Sequence, residues 1–119
     1  MNEVIGFPSV DVPPRSKMRT EKVKGMAAPV VYPPEDGTAE SAFTLPKAGK
    51  LIAINVPVVE GVQVSLVSNG RVLIPLTPTE RLSDMTIPDV RVDGDLAFRF
   101  VNASRHVIRL RPSIRLSDA

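Results

Sequence analysis

His106 is the only histidine in the chain, and Ser104 stands two residues before it. A serine becomes a nucleophile when a histidine takes its proton and a third group orients that histidine. The surrounding "NASRHV" has no glycine-flanked elbow to present the hydroxyl and no recognisable third partner. His106 therefore reads as a rim histidine that packs or hydrogen-bonds locally. Asp89, Asp93 and Asp95 in "DVRVDGDL" offer the oxygens that a hard cation such as calcium takes as ligands. Their spacing is not that of an EF-hand loop, and Asp-Gly is ordinary turn chemistry, so the stretch reads as a turn and no metal site is assigned. There is no cysteine, which removes thiolate metal centres, thiol nucleophiles and disulfide scaffolds together. No phosphate loop, dinucleotide fingerprint or zinc-protease pattern occurs. The expectation is a protein that is not an enzyme and has no cofactor.

Two groups of basic residues remain. Arg15, Lys17, Arg19, Lys22 and Lys24 in "RSKMRTEKVK" face a single acid, Glu21. The whole chain carries a formal charge of only +2 and a pI near 9.3, so this stretch concentrates what the rest dilutes. Its interleaved Met18, Thr20 and Val23 suit an interface segment better than a polybasic tail, and "PPEDG" then reverses the sign. With Tyr32, the sole tyrosine, in "APVVYPP", these five cations form the candidate partner-binding set. The second group is Arg99, Arg105, Arg109, Arg111 and Arg115, which share one parity and in extended strands make an outward basic face able to neutralise phosphates. Bases also need aromatic platforms. Phe98 and Phe100 have the parity of core residues, aromatic content is 4% and there is no tryptophan. Nucleic acid is thus the alternative partner, protein the leading one.

These groups must be positioned by very different segments. Seven of the twelve prolines, at 8, 13, 14, 29, 33, 34 and 46, lie in residues 1–46. Each fixes its own φ, lacks an amide donor and biases its predecessor toward extended backbone. The segment reads as an extended proline-rich arm, partly polyproline-like. At about 3.3 Å per residue it would reach on the order of 150 Å.

From Lys47 the pattern becomes period-two alternation, the signature of strands with one buried face. Ile52, Ile54, Val56 and Val58 share a parity in the first run, then Val62, Val64 and Leu66, then Val72, Ile74 and Leu76. Asn69-Gly70 between the last two is a two-residue hairpin turn. "TPTERLSD" predicts one short helical turn, capped by Thr77 with Pro78 at its first position. "DVRV" turns through Asp93-Gly94 into "LAFRFV", with Leu96, Phe98 and Phe100 inward, and the final strand gives Ile108, Leu110, Ile114 and Leu116 to the core. Residues 47–119 thus read as an all-β domain, a small antiparallel β-sandwich or barrel of six or seven short strands. Pro57, Pro75 and Pro112 fall inside strand-like runs and require sheet edges or bulges.

A small sandwich with a long arm resembles, in architecture and over the whole chain, the capsid decoration or cement proteins of tailed bacteriophages. No sequence motif carries that resemblance. It implies a virion subunit made in the host cytoplasm, bound to a capsid-type protein and to copies of itself. No stretch of eighteen apolar residues or signal-peptide pattern places it in a membrane or an export route. The arm reading also exposes itself to refutation, because it fails wherever residues 1–46 fold back onto the chain's own sheets.

Overall fold

The computed structural model describes residues 2–15, 20–23, 26–29 and 37–118. Among them strands run in the order β1 (Glu3–Gly6), β2 (Val10–Val12), β3 (Thr20–Val23), β4 (Met26–Pro29), β5 (Thr38–Thr44), β6 (Gly49–Asn55), β7 (Val62–Ser68) and β8 (Arg71–Pro78). A 3₁₀ helix, Thr79–Asp84, precedes β9 (Arg91–Val92), β10 (Asp95–Asn102), β11 (Ile108–Leu110) and β12 (Ser113–Ser117). One sheet has the order β1-β12-β6-β9 and a second the order β5-β10-β7-β8, while β2 pairs with β11 and β3 with β4.

The topology follows a simple rule. Taken along the chain, the eight strands of the two large sheets pair antiparallel as first with eighth, second with seventh, third with sixth and fourth with fifth. A long hairpin rolled over on itself produces this nesting, and the result is the double Greek key of a jelly roll. The outermost pair is bent: β1 and β2 on one side, β11 and β12 on the other, join across a kink where the Phe7 amide donates to the Pro112 carbonyl at 2.9 Å. No closed barrel forms among the described residues.

Between the two sheets lies one apolar core. Ile5, Leu51, Val92, Ile114 and Leu116 come from one side and Val64, Leu66, Ile74, Leu96, Phe98 and Phe100 from the other. Phe7 fills the kink edge-on to Phe98, ring centroids 4.8 Å apart, and lies 5.8 Å from Phe43. Pairs of this geometry add a modest attraction beyond the area they bury.

Over residues 2–15 and 37–46 the expected extended arm does not form, and the rest of that expectation, within residues 16–36, falls largely outside the described residues. Ile5, Phe7 and Val12 are buried, β1 and β2 pair within the body, β5 pairs with β10 along its whole length, and Leu45 is in the core. The physical reason is that Pro8, Pro13, Pro14 and Pro46 lie between strands rather than inside them, where a missing amide donor costs no ladder bond. Residues 16–36 form the stretch of chain between β2 and β5, here called the insert, and its two described strands, β3 and β4, pair with neither large sheet.

The structure departs from the alternation pattern at further points. Asp93-Gly94 does not close a hairpin, since β9 and β10 belong to different sheets, and Gly94, φ +62°, turns the corner between them. In β6 the register slips opposite Arg115/Leu116, so Leu51 rather than Ile52 is buried, and Val58, past the end of the strand, is exposed. In β8, Leu66 faces Ile74 but Val67 faces Val72, and Val64 faces Thr77. One extra residue falls at Leu73 and another at Pro75–Leu76, leaving Ile74 inside while Val72 and Leu76 turn outward. A bulge at Pro75 on an edge strand is where a residue without an amide donor belongs. Pro57 follows β6, and Pro112 sits at the kink between β11 and β12. The short helix is present, but Pro78 occupies its N-cap with no side-chain cap bond. The Thr77 hydroxyl donates to the Pro75 carbonyl instead, and Thr79 ties the helix to Val59 through both its donor and its acceptor.

If the N-terminal residues are core rather than arm, Phe7→Ala should lower stability by about 3–5 kcal/mol, read from urea unfolding. An unchanged midpoint would mean that Phe7 packs against nothing.

Candidate interaction surface

The insert meets the jelly roll at a neck built around Asn102, the last residue of β10 and fully buried. Its main-chain amide donates to the Gly37 carbonyl at 2.7 Å, and its carbonyl accepts from the Arg15 amide at 3.3 Å. Its side-chain Nδ2 donates to the carbonyls of Val12 at 3.0 Å and His106 at 2.7 Å, and Oδ1 accepts from the Ser104 amide at 2.8 Å. Only a carboxamide supplies two donors and an acceptor at this point. Burial makes each bond necessary, because an unmatched polar group out of water costs more than a bond gains.

Arg15 and Gly37 are in backbone contact. A Cβ on Gly37 would lie 2.9 Å from the Arg15 Cα, and the Gly37 φ is +73°, so glycine is required there both sterically and conformationally. Residues 16–36 therefore leave and return through one point. Within them β3 and β4 pair from Thr20 opposite Pro29 to Val23 opposite Met26, and with no other strand among the described residues. Of the candidate partner-binding residues, Arg15 is exposed at the neck and Lys22 lies on β3. Lys17, Arg19, Lys24 and Tyr32 lie outside the described residues.

The second basic group does not assemble. Arg99 points outward from β10 and Arg115 outward from β12, on opposite sides of the sandwich. Arg105 sits in the turn after β10, Arg109 on β11, and Arg111 at the kink with its guanidinium near Gly6. All five are exposed, but shared parity describes one face only within one sheet, and these residues belong to several. Arg99 Nε lies 3.1 Å from Glu40 Oε2, and Arg109 Nε 3.1 Å from Asp11 Oδ1, so two of the five already have a carboxylate beside them.

A surface that the alternation pattern misassigned lies on the outer face of the β5-β10-β7-β8 sheet. Val67, Val72, Leu76 and Val101 line a groove of about 800 Å³, with Glu40 and Arg99 at its side. Val67 forms its floor, while Val72 is 57% and Leu76 49% exposed. Leu76 and Val101 also border the hollow next to Arg15, so the apolar surface runs on to the neck. The one sequence signal for it is Pro75, whose bulge reverses the facing of its neighbours.

The catalytic and metal candidates resolve into local structure. His106 is exposed, and the Ser104 hydroxyl donates to the His106 carbonyl at 3.1 Å and accepts from its amide at 3.3 Å, which is turn chemistry. Asp89 pairs with Lys50 at 2.9 Å. Asp95 accepts from the Thr44 hydroxyl at 2.7 Å. Asn69, φ +48°, and Gly70, φ +82°, form the two-residue hairpin turn, and the Asn69 carboxamide binds the Asp93 carbonyl at 3.0 Å and the Asp95 amide at 2.9 Å. No three His, Cys, Asp or Glu side chains converge among the described residues, and none of the described helices is long and apolar enough to cross a membrane. No family model, curated protein or solved structure matches the chain.

Replacing Asn102 by Ala should remove the side-chain bonds to the Val12 and His106 carbonyls and to the Ser104 amide, lowering stability by about 1–3 kcal/mol and speeding amide exchange at Ser104. Asn102→Asp keeps the acceptor and loses both donors, and should be at least as damaging. An aspartate variant as stable as the parent would show that the donors do not matter.

Proposed function

We propose that this chain is a structural, non-enzymatic subunit of a large assembly: a virion accessory protein of the decoration, cement or minor structural kind, of a tailed phage. It holds its neighbours through the insert 16–36 and through its sheet surfaces. The observation that carries the reading is the neck. The main chain of buried Asn102 holds Arg15 and Gly37, the residues that flank an insert opening on a basic run, and within that insert the two strands find partners only in each other among the described residues.

Fold alone does not decide function. The double-sheet jelly roll serves viral capsid domains, lectins and cupins. A sugar platform would call for exposed aromatic rings, yet Phe7, Phe98 and Phe100 are in the core and there is no tryptophan. An interior active site would need polar groups between the sheets, where this chain packs aliphatic and phenylalanine side chains. An assembly role asks only for surfaces. Arg15, Lys17, Arg19, Lys22 and Lys24 then meet acidic patches on a capsid-type neighbour, and many individually weak contacts add as avidity across the copies. The protein is made in the host cytoplasm and ends in the virion.

The test is to replace residues 16–36 with a short Gly-Ser linker. Arg15 and Gly37 already touch, so the jelly roll should fold with a melting temperature within a few degrees of the parent, and the variant should disappear from the particle fraction in which the full-length protein is found. Undiminished incorporation would defeat the proposal. Removing residues 1–46 would be uninformative, since it deletes β1, β2 and β5.

A further inference from the structure

We infer that the outer face of the β5-β10-β7-β8 sheet is a self-complementary contact that seats a second copy of this chain. Outward positions of a sandwich are normally polar. Here the middle of the face is Val67, Val72, Leu76 and Val101, and two bulges in β8 turn two of these residues to solvent. Contiguous exposed apolar surface of this kind marks a contact site.

The charges beside the groove select the occupant. Glu40 on β5 and Arg99 on β10 stand across from each other in the ladder, one of each sign, with their charged groups 3.1 Å apart and both side chains about half exposed. In a two-fold contact the same patch serves both subunits. Arg99 of one copy then faces Glu40 of the other and the reverse, giving a closed ring of four alternating charges around an apolar centre. A phosphate backbone would meet Glu40 with repulsion, and a partner of single charge would satisfy only half the pair.

Face-to-face stacking is also what the strand leaves open. β8 is an edge, but bulges and Pro75 spoil its free side for adding another strand. Four strands about 4.8 Å apart and seven residues at about 3.3 Å offer on the order of 450 Å² of flat face per copy, below the ~800 Å² per partner of a standard stable interface. The contact is therefore weak in isolation and effective when repeated. It extends the assembly reading to a named surface, and the purified chain alone tests it.

Sedimentation of the full-length protein should show a dimer that fills with concentration up to the millimolar range, abolished by Val72→Asp. Arg99→Glu makes the patch wholly acidic and Glu40→Arg makes it wholly basic. Each should weaken self-association by about 100-fold while leaving the melting temperature nearly unchanged, because both side chains are exposed. Mixing the two variants should restore a dimer, now of one copy of each, since every cross-contact is again between opposite charges. A parent protein that stays monomeric, or a mixture that does not associate where the parent does, would overturn the contact. Neither result would bear on the insert, whose replacement is read separately by incorporation into particles.

Discussion

Two pieces of chain converge on the carboxamide of Asn102: the end of β2 through Val12, and the turn between β10 and β11 through Ser104 and His106. Its main chain holds the two ends of the insert. Because this group is removed from water, none of those bonds can be exchanged for hydration, and the segments are committed to one arrangement. The clamp thus ties the backbone on either side of the insert, at Arg15 and Gly37, to the end of β10, a central strand hydrogen-bonded on both sides.

The nested pairing has its own consequence. The first strand pairs with the last, so the sheet that carries β1 cannot be completed until the whole chain is present, and nearly every pairing joins residues distant in sequence. Such topologies fold slowly for the entropy that loop closure costs. Within the two large sheets the Asn69-Gly70 hairpin is the local exception, and its carboxamide also fastens the corner at Asp93–Asp95, joining a two-residue turn to the point where the chain changes sheets.

Much of the β character could be read from the residues, because it rests on rules that act locally. Alternation placed Phe98 and Phe100 inside and Arg99 outside, and the positive φ demanded at a two-residue turn singled out Asn69-Gly70. What failed was non-local. The position of a proline decides more than the number of prolines: Pro8, Pro13 and Pro14 frame β1 and β2 rather than destroying them. Parity holds only along a regular strand, and the bulges of β8 turn Val72 and Leu76 out of the core that alternation predicts for them and open the outer groove, at the edge-strand bulge that Pro75 does signal. The arginine stripe failed for the same reason on a larger scale, since common parity means a common face only within one sheet. Asn102 gave no signal at all. An asparagine at the end of a strand resembles any turn residue, and its role exists only once Val12, Arg15 and Gly37 have been brought to it.

The resulting picture is a jelly roll with an apolar interior, an insert that opens on a basic run and is flanked by residues held at one neck, and an apolar outer groove that reaches that neck. We propose that these features serve contact with neighbouring subunits. Amine cross-linking of the intact assembly followed by mass spectrometry addresses this most directly. Lys17, Lys22 and Lys24 should link to residues of neighbouring subunits, whereas links confined to this chain's own sandwich would contradict the account.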